Sequence, residues 1–297
     1  MKKLFFFKNV SAQHVKVSHG AFVGLPSITG LTGLNRLFAI ELARELSLQP
    51  DEIQPAGAML ALEGYHLHEG FKKAHKGKSS TYEAVPAAWA SFTAHIALDV
   101  RGTTERAVSA LSGEDLAPLA RDLLSGMSLC KGSLRQVNAP VNLARLRKEG
   151  EEERDTALRL LPSASLVVRD YGHLVTALRE ANVPLMEGLV AATLYHHKRP
   201  QQYAPVFEEN FATQVALAPV MDGYLKLENT PSGKSMRPTA QGEQGASTVA
   251  SPTFTLARLQ QAASLRLEQT ANAEEAALNA FWREHKSDTG YFCRGDE

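Results

Sequence analysis

The alternation of apolar and polar residues from Ser91 to Arg101 is the feature that most constrains the fold of this chain. The apolar side chains share one parity and are Phe92, Ala94, Ile96, Leu98 and Val100. The other parity is mainly polar and holds Ser91, Thr93, His95, Asp99 and Arg101. Successive side chains of a strand point to opposite faces of its sheet. The pattern therefore predicts a strand with one apolar face and one polar face.

A helix is predicted shortly after the N-terminal strands, which we expect at Leu4–Val10 and His14–Val17. Ser27 is a natural N-cap, because its hydroxyl can accept from a free amide of the first turn. Pro50 lies beyond the predicted end of the helix. Apolar residues recur at helical spacing between these limits, and they are Leu31, Leu34, Phe38, Leu42 and Leu46.

The remaining elements follow from shorter patterns. Strands are predicted at Ala58–Leu62 continuing to His68, Leu129–Val137, Leu166–Val168, Thr213–Leu227 and near Phe254. Helices are predicted after a Ser112/Asp115 capping box, at Leu143–Leu161 with Glu151–Asp155 as a solvated face, at His173–Ala181, at Leu185–Tyr195, and finally up to His285. This order of strand, helix, strands, helix and strand predicts an α+β fold with a ferredoxin-like antiparallel core.

Composition excludes several classes of protein. Lys plus Arg number 32 against 32 Asp plus Glu, so the chain is not a polycation or an acidic tail. An apolar content of 44% is too high for a disordered chain. The two cysteines, Cys130 and Cys293, have no zinc-site spacing, and the apolar run at Leu4–Phe7 is too short for a signal peptide. We expect a soluble cytoplasmic protein without membrane spans.

Motifs that suggest small-molecule chemistry are weak. The triplets Gly77–Ser79 and Gly233–Ser235 lack the upstream glycine of a phosphate-binding loop. Gly30 and Gly33 match the GxxG that clamps nucleic acid in KH domains, but close helix packing explains these glycines better. His66 and His68 are expected on one strand face without a ligand set. The sequence thus predicts no catalytic constellation, no metal and no cofactor.

A run of lysines is the clearest candidate site. Lys72, Lys73, Lys76 and Lys78 lie in a predicted loop at 71–82, between Phe71 and Tyr82. Such a loop is either a plain charged surface or a phosphate-binding segment, and aromatic flanks favour nucleic acid because they can stack on bases. Other basic residues are spread along the chain, and they are Arg135, Arg145, Arg147, Lys148, Lys198, Arg199, Lys234 and Arg237.

The stretch from Ser18 to Leu34 carries a resemblance to a known family. Its Gly24–Gly33 block reads Gly-Leu-Pro-Ser-Ile-Thr-Gly-Leu-Thr-Gly. This resembles the Gly-(Phe/Leu/Met)-Pro-Ser-x-Thr-x-x-x-Gly run of the Csy-two family, the Cas-five-type subunit of subtype I-F CRISPR surveillance complexes. Weaker similarity follows at Ala87–Gly102, Leu116–Gly132, Leu158–Arg169 and Gly223–Leu225.

The resemblance implies a non-catalytic RNA-binding subunit of antiviral defence, with an RRM-like core and a thumb. It implies one RAMP-like domain over 1–297 with a thumb or helical insertion at 103–161. Composition predicts the basic loop at 71–82, and the Pro, Gly, Ser, Thr and Gln content of 230–252 predicts a mobile loop there. The partners implied are the 5′ handle of the CRISPR RNA, the neighbouring backbone subunit, a large subunit and target double-stranded DNA beside the protospacer-adjacent motif. The His68–Lys73 stretch departs from the family pattern, which leaves the compact I-F variant as an alternative subtype.

The residues expected to contact RNA are Phe71, Lys72, Lys73, Lys76, Lys78, Arg135, Lys198, Arg199, Lys234 and Arg237. Two other functions stay open. One is an endoribonuclease of the same superfamily that processes CRISPR RNA, with His14 and His19 as candidate bases. The other is a structural adaptor without direct RNA contact.

Overall fold

The structure is a computed structural model. It describes residues 1–19, 22–76, 79–113, 116–198, 216–226, 250–271, 280–287 and 290–295. Side chains are described throughout these ranges except at residues 19, 22, 69–88, 194–198, 226, 250 and 268–271.

Helices and strands alternate along the described part of the chain. The helices are α1 (Ile28–Glu45), α2 (Glu105–Leu111), α3 (Ala117–Ser125), α4 (Leu143–Leu146), α5 (Glu153–Arg159), α6 (Gly172–Glu180), α7 (Leu185–Lys198) and α8 (Ala262–Ala271). The strands are β1 (Lys2–Lys16), β2 (Ser18–His19), β3 (Phe22–Val23), β4 (Ile53–Lys76), β5 (Ser79–Gly102), β6 (Ser128–Leu129), β7 (Gly132–Arg135), β8 (Leu166–Asp170), β9 (Ala216–Lys226), β10 (Ala250–Gln261), β11 (Trp282–Ser287) and β12 (Gly290–Gly295).

One large antiparallel sheet dominates the molecule, in the order β11-β12-β9-β10-β8-β4-β5-β1-β7-β6. β2 and β3 form a separate hairpin. Trp282 of β11 also pairs with Ala58 of β4, so the strands from β4 to β11 close into a ring. Helices and an antiparallel sheet in one molecule agree with the α+β class that the sequence predicts.

Helix α1 packs against one face of this sheet. Ser27 caps its N-terminus, as predicted, and accepts from the Gly30 amide at 3.0 Å. Phe38 meets Phe5 and Phe7 of β1 edge-on, with ring centroids 5.2 and 6.2 Å apart. Each large apolar side chain buried here stabilises the fold by about 1.5–3 kcal/mol. The apolar parity of β5 lies in this same core, which confirms the predicted alternation.

Among the residues that the structure describes, those that cover the opposite face of the sheet lie at one end of it. Leu4, Phe6 and Ala97 pack there against side chains that follow much later in the chain. These covering residues come from α4, α5, α8 and the segment before β11, and they are Leu143, Ala157, Leu158, Ala262, Leu265, Ala280 and Phe281.

The predicted basic loop at 71–82 is wrong as a loop. Residues 71–76 belong to β4 and residues 79–82 to β5, and the register pairs Lys72 with Glu83 and Lys73 with Tyr82. Backbone hydrogen bonds between the two strands hold this segment extended. The sequence does not predict the strand, because the lysine-rich segment has no alternation of apolar and polar residues. Gly77 and Lys78 lie outside the described residues.

Helix boundaries differ from prediction in three other places. Ser112 ends α2 and does not cap the next helix, while Asp115 lies outside the described residues. The predicted helix at Leu143–Leu161 is two short helices, α4 and α5. The C-terminal helix ends at Ala271 in the described residues, and His285 lies in β11. At His285, pairing of β11 with β12 overrides the local helical pattern.

The predicted solvated face at Glu151–Asp155 is also wrong in part. The Arg154 guanidinium lies 2.6 Å from Asp99 and 4.4 Å from the Phe281 ring centroid, and it is largely buried. Burial raises the pKa of Asp99, and the charge of Arg154 opposes that rise. An acid-rich run of sequence therefore contributes a cation to the interior.

Other segments singled out by sequence have mixed outcomes. The segment 103–161 holds α2 and α3, which pack in the α1 core, together with β7, which pairs with β1. Of the predicted mobile loop at 230–252, residues 250–252 are strand, and the rest lies outside the described residues. None of the helices in the described ranges combines the length and apolar character needed to cross a membrane.

Close packing at the start of α1 explains one of the two conspicuous glycines. A Cβ atom on Gly30 would lie 2.2 Å from Cys130 Sγ, whereas a Cβ on Gly33 would meet no atom within 4 Å. This agrees with the packing interpretation for Gly30 and removes any packing need for Gly33.

The pair of glycines gives a matched stability test. Gly30→Ala should lower the free energy of unfolding by about 1–3 kcal/mol, because it overpacks a rigid contact. Gly33→Ala should raise it by up to about 1 kcal/mol, because alanine is the better helix former. Chemical denaturation measures both changes. Adding Cys130→Ala should restore most of the stability that Gly30→Ala loses, and a double variant as unstable as the single one would contradict the contact.

Candidate nucleic-acid interface

The uncovered end of the sheet presents a polar surface on the side opposite α1, which we call the open face. Strands β1, β4, β5 and β7 position it. Its side chains are polar, cationic or aromatic and are at least partly exposed, and they are Lys8, Ser11, His14, Lys16, Glu63, His66, His68, Trp89, Ser91, Thr93 and Arg135.

Strand register arranges the open face in rows. Ser11 lies opposite both Thr93 of β5 and Arg135 of β7, and Thr93 lies opposite Glu63 of β4. The next rows place Ser91 opposite His66, and Trp89 between His68 and Lys16. Residues directly opposite each other have Cβ atoms about 4.5–5.5 Å apart, so each row is a continuous strip of side chains.

Two histidines and a serine form a contact cluster on the open face. The His14 and His68 rings stack with centroids 5.4 Å apart and planes at 15°. Ser91 Oγ lies 2.7 Å from His68 Nε2 and accepts from the His14 amide at 3.4 Å. His14 has a φ of 53°, and the register of β1 shifts between Ala12 and Val15. Such a bulge redirects side chains, and here it brings His14 onto His68.

A buried histidine lies beside Glu63, at the edge of the open face. His95 is fully buried, and its Nε2 lies 3.5 Å from Glu63 Oε1, which also accepts from Ser165 Oγ at 2.5 Å. The Asn9 amide donates to His95 Nδ1 at 3.4 Å. Burial lowers the pKa of His95, and Glu63 partly opposes this shift. The surroundings of His95 therefore favour its neutral form.

Among the basic and aromatic residues predicted to contact RNA, Arg135 is brought to the open face and is exposed there. The side chains of Phe71, Lys72, Lys73, Lys76 and Lys198 lie outside the described residues, although their backbones belong to β4 and α7. Lys78, Arg199, Lys234 and Arg237 lie outside the described residues altogether. The RNA contacts of all these residues stay predictions.

Several open-face residues were not singled out from sequence, and Trp89, Lys8 and Lys16 are the main ones. The alternation from Ser91 onward indicates a polar strand face, but it does not say whether helices cover that face. His66 and His68 do lie on one strand two residues apart, as expected. Their neighbour His14 depends on a bulge that has no sequence signature.

No group of three or more His, Cys, Asp or Glu side chains that could hold a metal occurs in the ranges the structure describes. The chemistry of the open face is that of cations, ring faces and hydroxyl groups. Lysine and arginine bind phosphate oxygens, and Trp and His rings stack on unpaired bases. A flat sheet surface with this composition suits an extended single strand.

The buried His95 makes stability depend on pH. Its pKa is lowered from 6.5, so the unfolded chain binds more protons than the folded chain just below that value. The free energy of unfolding should therefore fall as pH drops below about 6.5. His95→Asn keeps an acceptor near the Asn9 amide and should weaken this dependence, as measured by urea unfolding at several pH values. His66→Asn, at an exposed site, is the control, and an unaltered dependence in His95→Asn would contradict the assignment.

Neither a protein-family model nor a curated protein matches this sequence.

Proposed function

We propose that this protein is a non-catalytic RNA-binding subunit of a subtype I-F CRISPR surveillance complex, which caps the 5′ handle of the CRISPR RNA. The observation that carries the proposal is the open face, a strip of cations and stacking rings on an antiparallel sheet whose other face is packed by helices. In RNA-recognition domains of this architecture, ring side chains of the sheet stack on unpaired bases.

The order of elements supports a ferredoxin-like core, which the Csy-two resemblance also implies. Strand β1, helix α1, strands β4 and β5, helices α2 and α3, and strand β7 follow one another along the chain. In the sheet, their order is β4-β5-β1-β7, and each neighbouring pair is antiparallel. Apart from the short strands β2, β3 and β6, this order supports a βαββαβ unit, with helices α1 and α3 in one core on one side.

Bound RNA would cross the strand rows of the open face. Lys8, Lys16 and Arg135 would neutralise phosphates, while Trp89 would stack on a base. Trp89 is 37% exposed, so part of its ring is accessible for stacking on a base. Only Glu63 among the open-face residues carries negative charge, and it is engaged by Ser165. The face is thus net positive although the whole chain is neutral.

The β4–β5 hairpin extends the same surface. Pairing of β1 with β5 ends at Lys16 and Trp89, while β4 and β5 continue to pair as far as Lys76 and Ser79. Residues 71–76 are therefore carried on a two-stranded arm beyond the open face. Lys72, Lys73 and Lys76 on this arm, together with Lys78, would continue the phosphate track.

The proposal includes partners and a place in the cell. Other faces would meet a backbone subunit, and either a large subunit or target double-stranded DNA beside the protospacer-adjacent motif. A cytoplasmic location belongs to the proposal, and Cys130 and Cys293 are both free thiols.

RNA binding by the full chain tests the proposal. Trp89→Ala should weaken binding of single-stranded repeat RNA roughly 5- to 150-fold, because one base stack contributes about 1–3 kcal/mol. Changing Lys16 and Arg135 to Ala should flatten the plot of log affinity against log salt by about 0.7 for each phosphate that the variant no longer neutralises. Changing Lys72, Lys73, Lys76 and Lys78 to Ala should flatten this plot further. Fluorescence anisotropy over a salt series measures each effect.

Matched controls lie on α1, away from the open face. Leu37→Ala truncates an exposed apolar side chain, and Arg44→Ala removes an exposed arginine. Neither should alter affinity. Wild-type affinity in Trp89→Ala and in the Lys16/Arg135 variant would contradict the proposal. Absence of RNA binding, with co-purification of a backbone subunit, would instead identify a structural adaptor.

One observation favours a second function, that of a CRISPR RNA-processing endoribonuclease. The stacked His14 and His68 bring two imidazoles together on the proposed RNA surface, and Ser91 holds His68 in place. A pair of imidazoles can take a proton from a ribose 2′-hydroxyl, which attacks the adjacent phosphorus, and can give a proton to the departing 5′-oxygen. The side chain of His19, the other sequence candidate, lies outside the described residues.

Incubation with precursor repeat RNA in the presence of a chelator separates the two functions. The non-catalytic proposal expects intact RNA with the wild-type chain. Cleavage at one site, lost by about 10²-fold or more in His14→Ala and His68→Ala but kept in His66→Ala, would overturn it. His66 is the matched control because it is an exposed histidine of the same face outside the stack.

A further inference from the structure

A groove with polar and apolar walls lies beside the middle of α1, separate from the open face. It encloses about 580 Å³ between α1, the segment that leads into β4, and strand β11. None of its lining residues belongs to the open face. Its volume falls within the range of about 300–1,000 Å³ that is typical of small-molecule sites.

Asn35 lines the groove and has an unused acceptor. The side chain is 1% exposed, and its Nδ2 donates to the carbonyl oxygens of Gly57 at 2.8 Å and Asp99 at 3.1 Å. Only the NH₂ group of the Asn35 side chain can donate to two carbonyl oxygens, so these hydrogen bonds determine the orientation of its amide. Its Oδ1 is buried and has no hydrogen-bond partner among the described residues.

Glu284 of β11 provides a second acceptor of the same kind. Its Oε2 lies 3.6 Å from Arg36 Nη1, and its Oε1 is buried with no hydrogen-bond partner in the part of the chain that the structure describes. The distance to Arg36 is too long for a good charge-assisted hydrogen bond. A buried acceptor without a partner is costly, and native proteins commonly satisfy such groups with a ligand or an ordered water.

The walls of the groove combine positive charge with apolar surface. Arg36, Arg283 and Lys286 line it together with the acidic Asp51 and Glu284, so cations are in the majority. Apolar surface comes from Ile40, Ile53, Pro50 and Pro55. The site therefore favours a ligand with a negative group, a flat apolar body and hydrogen-bond donors.

We propose that this groove binds a nucleoside 5′-monophosphate, either free or as the terminal nucleotide of a strand. The phosphate competes with Glu284 for Arg36 and also contacts Lys286. Released from Arg36, the Glu284 carboxylate turns toward donors of the base or ribose, and Asn35 Oδ1 accepts from another. The base packs on the proline and isoleucine surface.

Calorimetric titration of the full chain with AMP tests the groove. AMP should bind with a dissociation constant below about 1 mM, and adenosine and inorganic phosphate should each bind about tenfold or more weakly, because each lacks one half of the contacts. Arg36→Ala and Lys286→Ala should each weaken AMP about tenfold. Arg44→Ala removes an exposed arginine from the same helix outside the groove and should leave AMP affinity unchanged.

Two further measurements identify the source of the nucleotide and distinguish binding in the groove from RNA binding on the open face. A 5′-phosphorylated dinucleotide that binds more tightly than AMP indicates a strand end, and one that binds more weakly indicates a free nucleotide. Trp89→Ala should bind AMP as the wild type does. The proposal would be overturned if AMP at up to about 5 mM produced no heat, or if Arg36→Ala bound AMP as tightly as the wild type does. Either result would indicate that water satisfies the unpaired acceptors of Asn35 and Glu284.

Discussion

The pairing of strand β4 is the constraint on which the rest of the structure depends. One of its edges pairs with β5 along nearly its whole length. The other edge is divided, since Ala58 pairs with β11 and Ala61 and Leu62 pair with β8. Beyond Leu62 this second edge has no strand partner among the described residues. One strand thus joins the N-terminal half of the sheet to the ring formed with strands β8 to β12.

This division of β4 explains why the two faces of the sheet differ along their length. Where β8 and β11 join β4, residues of α4, α5, α8 and the segment before β11 lie over the sheet and bury Leu4, Phe6 and Ala97. Where the second edge of β4 is free, no described element covers the face, and the polar parity of β5 stays partly exposed. The proposed RNA surface and the proposed nucleotide groove then lie in different parts of the molecule, with separate sets of side chains.

Much of the local structure was readable from sequence. The Ser27 cap, the apolar stripe of α1 and the two faces of β5 all follow from short-range rules, because caps and periodicity depend on neighbours within a few residues. The predictions from sequence were wrong where contacts with distant segments determine the local structure. The lysine segment after Phe71 is strand because β5 pairs with it, and Arg154 is interior because Asp99 lies beneath it.

By itself, the sequence determined the α+β class, the start of α1 and the polar parity that includes Ser91 and Thr93. Only the tertiary structure decided which half of that face is uncovered, that His14 meets His68 across a bulge, and that Asn35 retains an unused acceptor beside Glu284. The physical reason is the distance along the chain over which each feature is determined. Side-chain period is set within a strand or helix, whereas coverage, bulge geometry and unsatisfied acceptors depend on which remote segments come to lie alongside.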